Sequence, residues 1–164
     1  MKITFISQAS IRVKTSDCTI LTDPWYMGTA FNDAWKLLPA PVWDNSMLDD
    51  IDFLWISHEH PDHFHIATLK SFPQSFKDRV TLLFQKNNTD KMPNAFRKLG
   101  FKNITLLDNR KIYNITPKTK VYCSQIGQMD SSLAVMNEGT TILNLNDCEA
   151  NTIDCKNFVK DLGK

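Results

Sequence analysis

The 164-residue chain sets nineteen Lys and Arg against eighteen Asp and Glu, with 42% hydrophobic and 23% charged residues, the balance of a soluble globular unit with a sizeable core. A formal net charge of +1 supplies no broad field for polyanions, so neither nucleic acid nor an anionic membrane is an expected partner. No run approaches a membrane span, the N-terminal "MKITFISQASIRVKTSDCTIL" is broken by charge, and Cys18, Cys123, Cys148 and Cys155 form no CxxC pair; a cytoplasmic protein with reduced thiols is expected.

In chain order, "KITFIS", "SIRVKT" and "CTILTD" are β-branched and roughly alternating, separated by turn-forming residues, and predict an antiparallel meander. Asp23 to Asp50 is rich in aromatics, Pro and Asp/Asn without a helical or strand period, which predicts a long ordered loop of the kind that usually serves function. "DFLWIS" predicts a short buried strand that runs into the next segment.

Beyond it, "HIATLKSF" and "DKMPNAFRKLG" have helical spacing, the second closed by Gly100, and "RVTLLFQ" and "NITLLD" read as strands. The last third returns to strands with "TKVYCSQ" and "SSLAVMNEGTTILNLND", whose Asn-Glu-Gly predicts a hairpin turn, and a helix is expected from about Asp154 to Leu162. No repeat or polar linker divides residues 1–164, so one α/β domain is expected.

The chemistry concentrates in "SHEHPDHFH". The chain has four histidines, and His58, His60, His63 and His65 all lie in this segment. Imidazole together with carboxylate suits zinc, iron or manganese. In an extended segment His58 and His60 point the same way and can grip one ion, while Asp62 and His63, past the stiff Pro61, turn toward a second. His65 falls outside this spacing and is read as the start of the following helix.

"SHEHPDH" resembles the H-x-H-x-D-H signature of the metallo-β-lactamase superfamily. "ILTDPWYMGTAFNDAWKLLPAP" and "MDSSLAVMNEGTTILNLNDC" are similar to the branch containing CMP-N-acetylneuraminate hydroxylase and ascorbate-phosphate lactonase-like hydrolases. The resemblance implies an αββα sandwich, here in a short or partial version. It implies one or two divalent ions, zinc first and iron or manganese as alternatives, held by His58, His60, Asp62, His63 and a bridging Asp147. It further implies that Asp23 receives a hydrogen bond from a ligating histidine and fixes its tautomer, and that Trp25, Phe31 and Trp35 line the pocket rim.

The chain departs from the pattern in three places. Gln125, Gln128 or Asp130 stands where a third histidine is usual, and of these Asp130 is the better metal ligand. Ser7-Gln8-Ala9-Ser10 replaces the common "GHAS". The second αβ half with its final histidine is not within the 164 residues, which fits a natural short form or a fragment equally; in either case an exposed edge or apolar face, covered by a second copy or a complementing chain, is expected.

Three functions are open at this point. The first is hydrolysis of a phosphoester, lactone or amide by metal-activated water, with Asp62 as the group that positions or deprotonates that water. The expected substrate is a small molecule such as a nucleotide sugar or phosphorylated sugar. The second is a component of a CMP-sialic-acid hydroxylase-like oxygenase, whose Rieske cluster would lie on another chain. The third is a non-catalytic protein on the same fold.

Overall fold

The computed structural model describes residues 1–163. The meander forms as the alternation predicts: β1 (Lys2–Ser7), β2 (Ser10–Lys14) and β3 (Thr19–Thr22) pair antiparallel, with Ile3 opposite Val13 and Arg12 opposite Leu21. The loop expected from Asp23 to Asp50 contains a two-rung hairpin, β4 (Thr29–Ala30) with β5 (Trp35–Lys36), and a 3-10 turn at Asn45–Leu48. Neither has enough residues to leave a period in the sequence.

β6 (Phe53–Ile56) lies parallel to β3 and is followed by two short helices, α1 (Ile66–Ser71) and α2 (Gln74–Arg79). Next come β7 (Thr81–Gln85), α3 (Lys91–Lys98) and β8 (Asn103–Leu107), whose strands extend the parallel part of the sheet. The order of this six-stranded sheet is β1-β2-β3-β6-β7-β8. A four-stranded antiparallel sheet follows, from β9 (Lys111–Asn114), β10 (Thr119–Ile126), β11 (Asp130–Asn137) and β12 (Thr140–Asn144), in the order β12-β11-β10-β9. α4 (Thr152–Leu162) ends the described chain.

Strand alternation sorts the side chains into layers. Leu54, Ile56, Leu82 and Phe84 face α1–α3 and pack with Leu69, Phe72, Phe76, Met92 and Phe96. The residues between them, Trp55 and Leu83, turn to the opposite face and meet Val121, Cys123, Leu133 and Val135 of the second sheet. That sheet's outer face presents Tyr122 and Ala134 to Phe158 of α4. The result is an αββα sandwich in which β6 and β7 are buried on both faces, as their unbroken apolar runs require. Each large aliphatic side chain so buried contributes roughly 1.5–3 kcal/mol of transfer free energy.

Local signals place the ends. Met92 and Phe96, one helical turn apart, are the inward stripe of α3, and Gly100 follows it at φ 95, a conformation a side chain would strain. The β11–β12 turn has φ 48 at Glu138 and φ 82 at Gly139, so it is a primed two-residue hairpin with Asn137 opposite Thr140. α4 begins slightly before the expected Asp154 because Asn151 caps it and Asp154 closes a capping box. Its far end is pinned by Asp161, which accepts from Arg110 Nε at 2.7 Å and Tyr122 Oη at 2.6 Å.

Two features bear on what surrounds the molecule. On the edge strand β1, Ile3 and Phe5 are 52% and 70% exposed although they lie opposite Val13 and Ile11, which pack toward the second sheet. Among the described residues no helix is long and apolar enough to cross a membrane.

Candidate metal centre

β6 delivers the chain into the histidine segment, and β3 delivers Asp23 alongside it. The segment does not stay extended: His63 and Phe64 donate their backbone N–H groups to the carbonyl of His60 at 3.0 and 2.8 Å. That single turn brings the ring of His63 beneath His58, with centroids 4.1 Å apart. His58 and His60 nevertheless converge as their spacing predicts, Nε2 to Nδ1 at 2.8 Å.

The second sheet brings in the carboxylates. Asp130 opens β11, with Oδ1 3.6 Å from His58 Nε2. Asp147, just past β12, puts Oδ2 3.2 Å from His63 Nε2 and 3.9 Å from His58 Nε2. Two overlapping donor sets result, His58/His60/Asp130 and His58/His63/Asp147, the atoms within each lying within 4.8 Å of one another. His58 belongs to both, where the spacing argument divides the histidines into separate pairs. Asp62 stands beside the second set, with Oδ2 3.4 Å from His63 Nε2 and accepting from Gln8 Nε2 at 2.9 Å.

Behind the rings the hydrogen bonds are fixed. Asp23 is fully buried; Oδ1 accepts Ser57 N–H at 2.7 Å and Oδ2 accepts from His63 Nδ1 at 3.1 Å. This leaves His63 Nε2 facing Asp62 and Asp147. Ser57 Oγ lies 2.9 Å from His58 Nδ1, and Ser131 Oγ donates to the Ser57 carbonyl at 2.6 Å, tying the segment to β11.

The electrostatics follow from this packing. Burial and the neighbouring His63 push His58 below the usual histidine range, so it is a neutral base with a lone pair to offer. Burial opposes a charge on His63 as well, but hydrogen bonds and charges from Asp23 and Asp62 outweigh it and raise its pKa to about 10. Asp62 is held below the usual carboxylate range: burial works against its charge, and His63 more than offsets this.

The residues fit a divalent cation. Neutral imidazole nitrogens and carboxylate oxygens are the donor types such ions take, and Asp62 Oδ1 and Asp130 Oδ1 are buried without a hydrogen-bond partner. A buried, unpartnered carboxylate oxygen carries a large desolvation cost that a cation would offset.

The other candidates separate cleanly. His65 is the N-cap of α1: its Nδ1 accepts from Thr68 N–H at 3.2 Å and its Nε2 pairs with the Thr29 carbonyl at 3.0 Å. Trp25 is buried and stacks on His65, and together with Trp35 and Gln8 it lines a cavity of about 640 Å³. Phe31 and Trp35 are exposed and meet edge to face, with Phe31 6.3 Å from His60. Gln125 and Gln128 line a neighbouring groove, leaving Asp130 as the member of that trio beside the histidines. Burial holds the Cys148 thiol up at about 12, with Asp130 adding to the effect, so it is a protonated side chain of the outer core.

Comparison with known proteins agrees with this architecture. Residues 2–152 match the family model described as a β-lactamase superfamily domain. The chain is 28% identical to the cytidine monophosphate-N-acetylneuraminic acid hydroxylase of Danio rerio, covering 89% of this chain and 25% of that protein. Its fold matches isothiocyanate hydrolase from Delia radicum gut bacteria with a TM-score of 0.76 at 21% identity, over 99% of this chain and 67% of that one. It also matches CmlA, a diiron β-hydroxylase from Streptomyces venezuelae, with a TM-score of 0.74 at 17% identity, over 98% and 32%. The chain spans about a third or less of the length of the curated relatives it matches. With the αββα layers and the H-x-H-x-D-H segment in place, the chain belongs to the β-lactamase superfamily and has relatives among the CMP-N-acetylneuraminic acid hydroxylases.

Proposed function

We propose that the chain is a metal-dependent hydrolase whose centre is built from His58, His60, Asp62, His63, Asp130 and Asp147, acting on a phosphoester, lactone or amide of a small molecule. The observation that carries this reading is the pair of overlapping donor sets that share His58, with Asp147 Oδ2 lying between His63 and His58. Zinc is the first choice of ion. The oxygen of Asp130 in place of a third imidazole also makes the centre hospitable to iron or manganese.

When bound, the ions supply Lewis acidity, lowering the pKa of water toward neutrality and polarising the substrate oxygen. The chain's own residues do the rest. Asp23 holds the proton on His63 Nδ1 and so keeps Nε2 turned toward the site. Gln8, donating to Asp62 Oδ2, leaves Oδ1 to take a proton from an attacking water. Phe31 and Trp35 offer an apolar wall on the His60 side.

The test is turnover of bis(p-nitrophenyl) phosphate, dihydrocoumarin and an acyl anilide with and without chelator. Cleavage of at least one that chelator abolishes, zinc or manganese restores and His58→Ala reduces at least 100-fold is the expected result. Turnover indifferent to chelator and to His58→Ala contradicts the reading.

The likeness to hydroxylases supports a second reading, in which this chain is the nucleotide-sugar-binding part of an oxygenase whose other components lie elsewhere. Saturable binding of CMP-N-acetylneuraminic acid without hydrolysis would select it. On either reading the exposed face at Ile3 and Phe5 is where a second copy or a complementing chain would pack.

A further inference from the structure

Beside the centre lies a second concavity that the proposed chemistry does not use. A groove of about 200 Å³ is lined by Glu59, Gln125 and Gln128 together with the buried Phe84, Gln85 and Met92. Chain connectivity fixes its place: Glu59 stands between His58 and His60, and the lining residue Met129 directly precedes Asp130. The groove therefore borders the His58/His60/Asp130 set.

Its lining holds an unusual group. Gln85 is 4% exposed, and its Nε2 donates to the carbonyl of Met129. A carbonyl accepts only from a donor, so this bond fixes which end of the amide is which. The other end, Oε1, is buried with no hydrogen-bond partner. Such an orphaned acceptor costs about 1–3 kcal/mol, which an O–H or N–H from a ligand would recover. Exposed Met129, unbranched and flexible, is the part of the lining that can yield to admit it.

The remaining lining narrows the ligand. Lys91 is paired with Glu59 at 2.6 Å, so no unneutralised charge faces the groove to select an anion. Phe84 is buried at 1% exposure and no exposed aromatic ring lines the walls, so a nucleobase has nothing to stack on. What is left is amides and a hydroxyl from Gln85, Gln125, Gln128, Asn87 and Thr89 beside methionine side chains. Each amide offers both donor and acceptor, which matches a hydroxyl group. The volume lies below the roughly 300–1,000 Å³ of a complete small-molecule pocket, as suits a subsite for one ring.

We propose that this groove is a binding subsite for a neutral polyhydroxylated ring, a sugar, which seats its hydroxyls on Gln85 and Gln125 and places a neighbouring substituent beside His58, His60 and Asp130. The consequence for chemistry rests on the hydrolase reading; the binding itself does not.

The experiment is therefore done on metal-free as well as metal-loaded protein. Side-chain amide resonances of ¹⁵N-labelled protein are followed while D-glucose, D-galactose, D-mannose and N-acetyl-D-glucosamine are added, with cytidine and inorganic phosphate as controls. The expected result is a saturable shift of the Gln85 amide with at least one sugar, in both forms of the protein, and none with the controls. Gln85→Met should weaken binding at least tenfold. Should that variant fail to fold, Gln125→Ala at the rim should still weaken it several-fold. No saturable shift with any of the four sugars, a shift from cytidine alone, or sugar binding unchanged in the variants overturns the proposal. Sugar binding without turnover would sink the hydrolase reading alone, and turnover without sugar binding would sink this one alone.

Discussion

Replacing Asp23 by Asn tests how the scaffold sets the chemistry of a candidate ligand. Both Asp23 oxygens are committed, Oδ1 to Ser57 N–H at 2.7 Å and Oδ2 to His63 Nδ1 at 3.1 Å. Asparagine can keep an oxygen toward Ser57 but then presents an NH₂ group to His63. Nδ1 must become the acceptor, so of the two protons that the raised pKa keeps on the metal-free ring the one on Nδ1 is lost and a single proton stays on Nε2, the nitrogen facing Asp62 and Asp147. Losing a hydrogen bond to a charged group costs about 1.5–3 kcal/mol, equivalent to roughly 10–150-fold in an equilibrium constant, which agrees with the roughly 10–100-fold seen when such supporting groups are altered. Competition against a chromophoric chelator should thus show zinc bound roughly 10–100-fold more weakly by Asp23→Asn, and imidazole ¹⁵N shifts should show the proton on Nε2. An affinity within twofold of wild type, with Nδ1 still protonated, would refute the reasoning.

Other consequences can be checked alongside. His65→Ala should leave metal content unchanged while costing about 1 kcal/mol of stability through the lost cap, read by urea denaturation. Because burial depresses the pKa of His65, its contribution is present above the unfolded value and is lost as pH falls through that region. In metal-free protein His63 has the opposite sign: its pKa is raised to about 10, so its contribution is full below the ordinary histidine value and disappears as pH rises through about 10. Asp161→Asn should move the acid-unfolding midpoint upward, since Arg110 and Tyr122 hold that carboxyl at about 2 and its contribution is lost only as pH falls toward that value. Leu83→Ala, in the contact between the two sheets at 0% exposure, should cost about 2–5 kcal/mol in the same denaturation assay.

What could be read in advance is what local chemistry determines. The alternation in "SIRVKT" and the two-sided apolar run "DFLWIS" lead directly to β2 and β6, because burial on one or both faces dictates composition. The structure places His58 beside His60 in one donor set and beside His63 and Asp147 in the other, and Asp23 accepts from His63 Nδ1. The elements not foreseen are short or exposed. β9 has four residues of which only Tyr113 is even half-buried, and α2 is six residues beginning after a proline. The sharing of His58 between two donor sets depends on the turn at His60–Phe64, which the i, i+2 argument treats as extended. Asp130 could not be told from Gln125 and Gln128 because the β10–β11 connection decides which side chain reaches the histidines. Gln85 reads as the ordinary end of a strand, since its unsatisfied acceptor is a property of packing.

The central claim, that these side chains form a working metal centre, is tested most directly by metal content. Plasma mass spectrometry on the purified chain after reconstitution, beside His58→Ala, Asp147→Ala and His65→Ala, should find near-stoichiometric zinc, iron or manganese in wild type and in His65→Ala and a sharp loss in the other two. A wild-type protein that retains no metal, or a content indifferent to His58 and Asp147, would contradict the account.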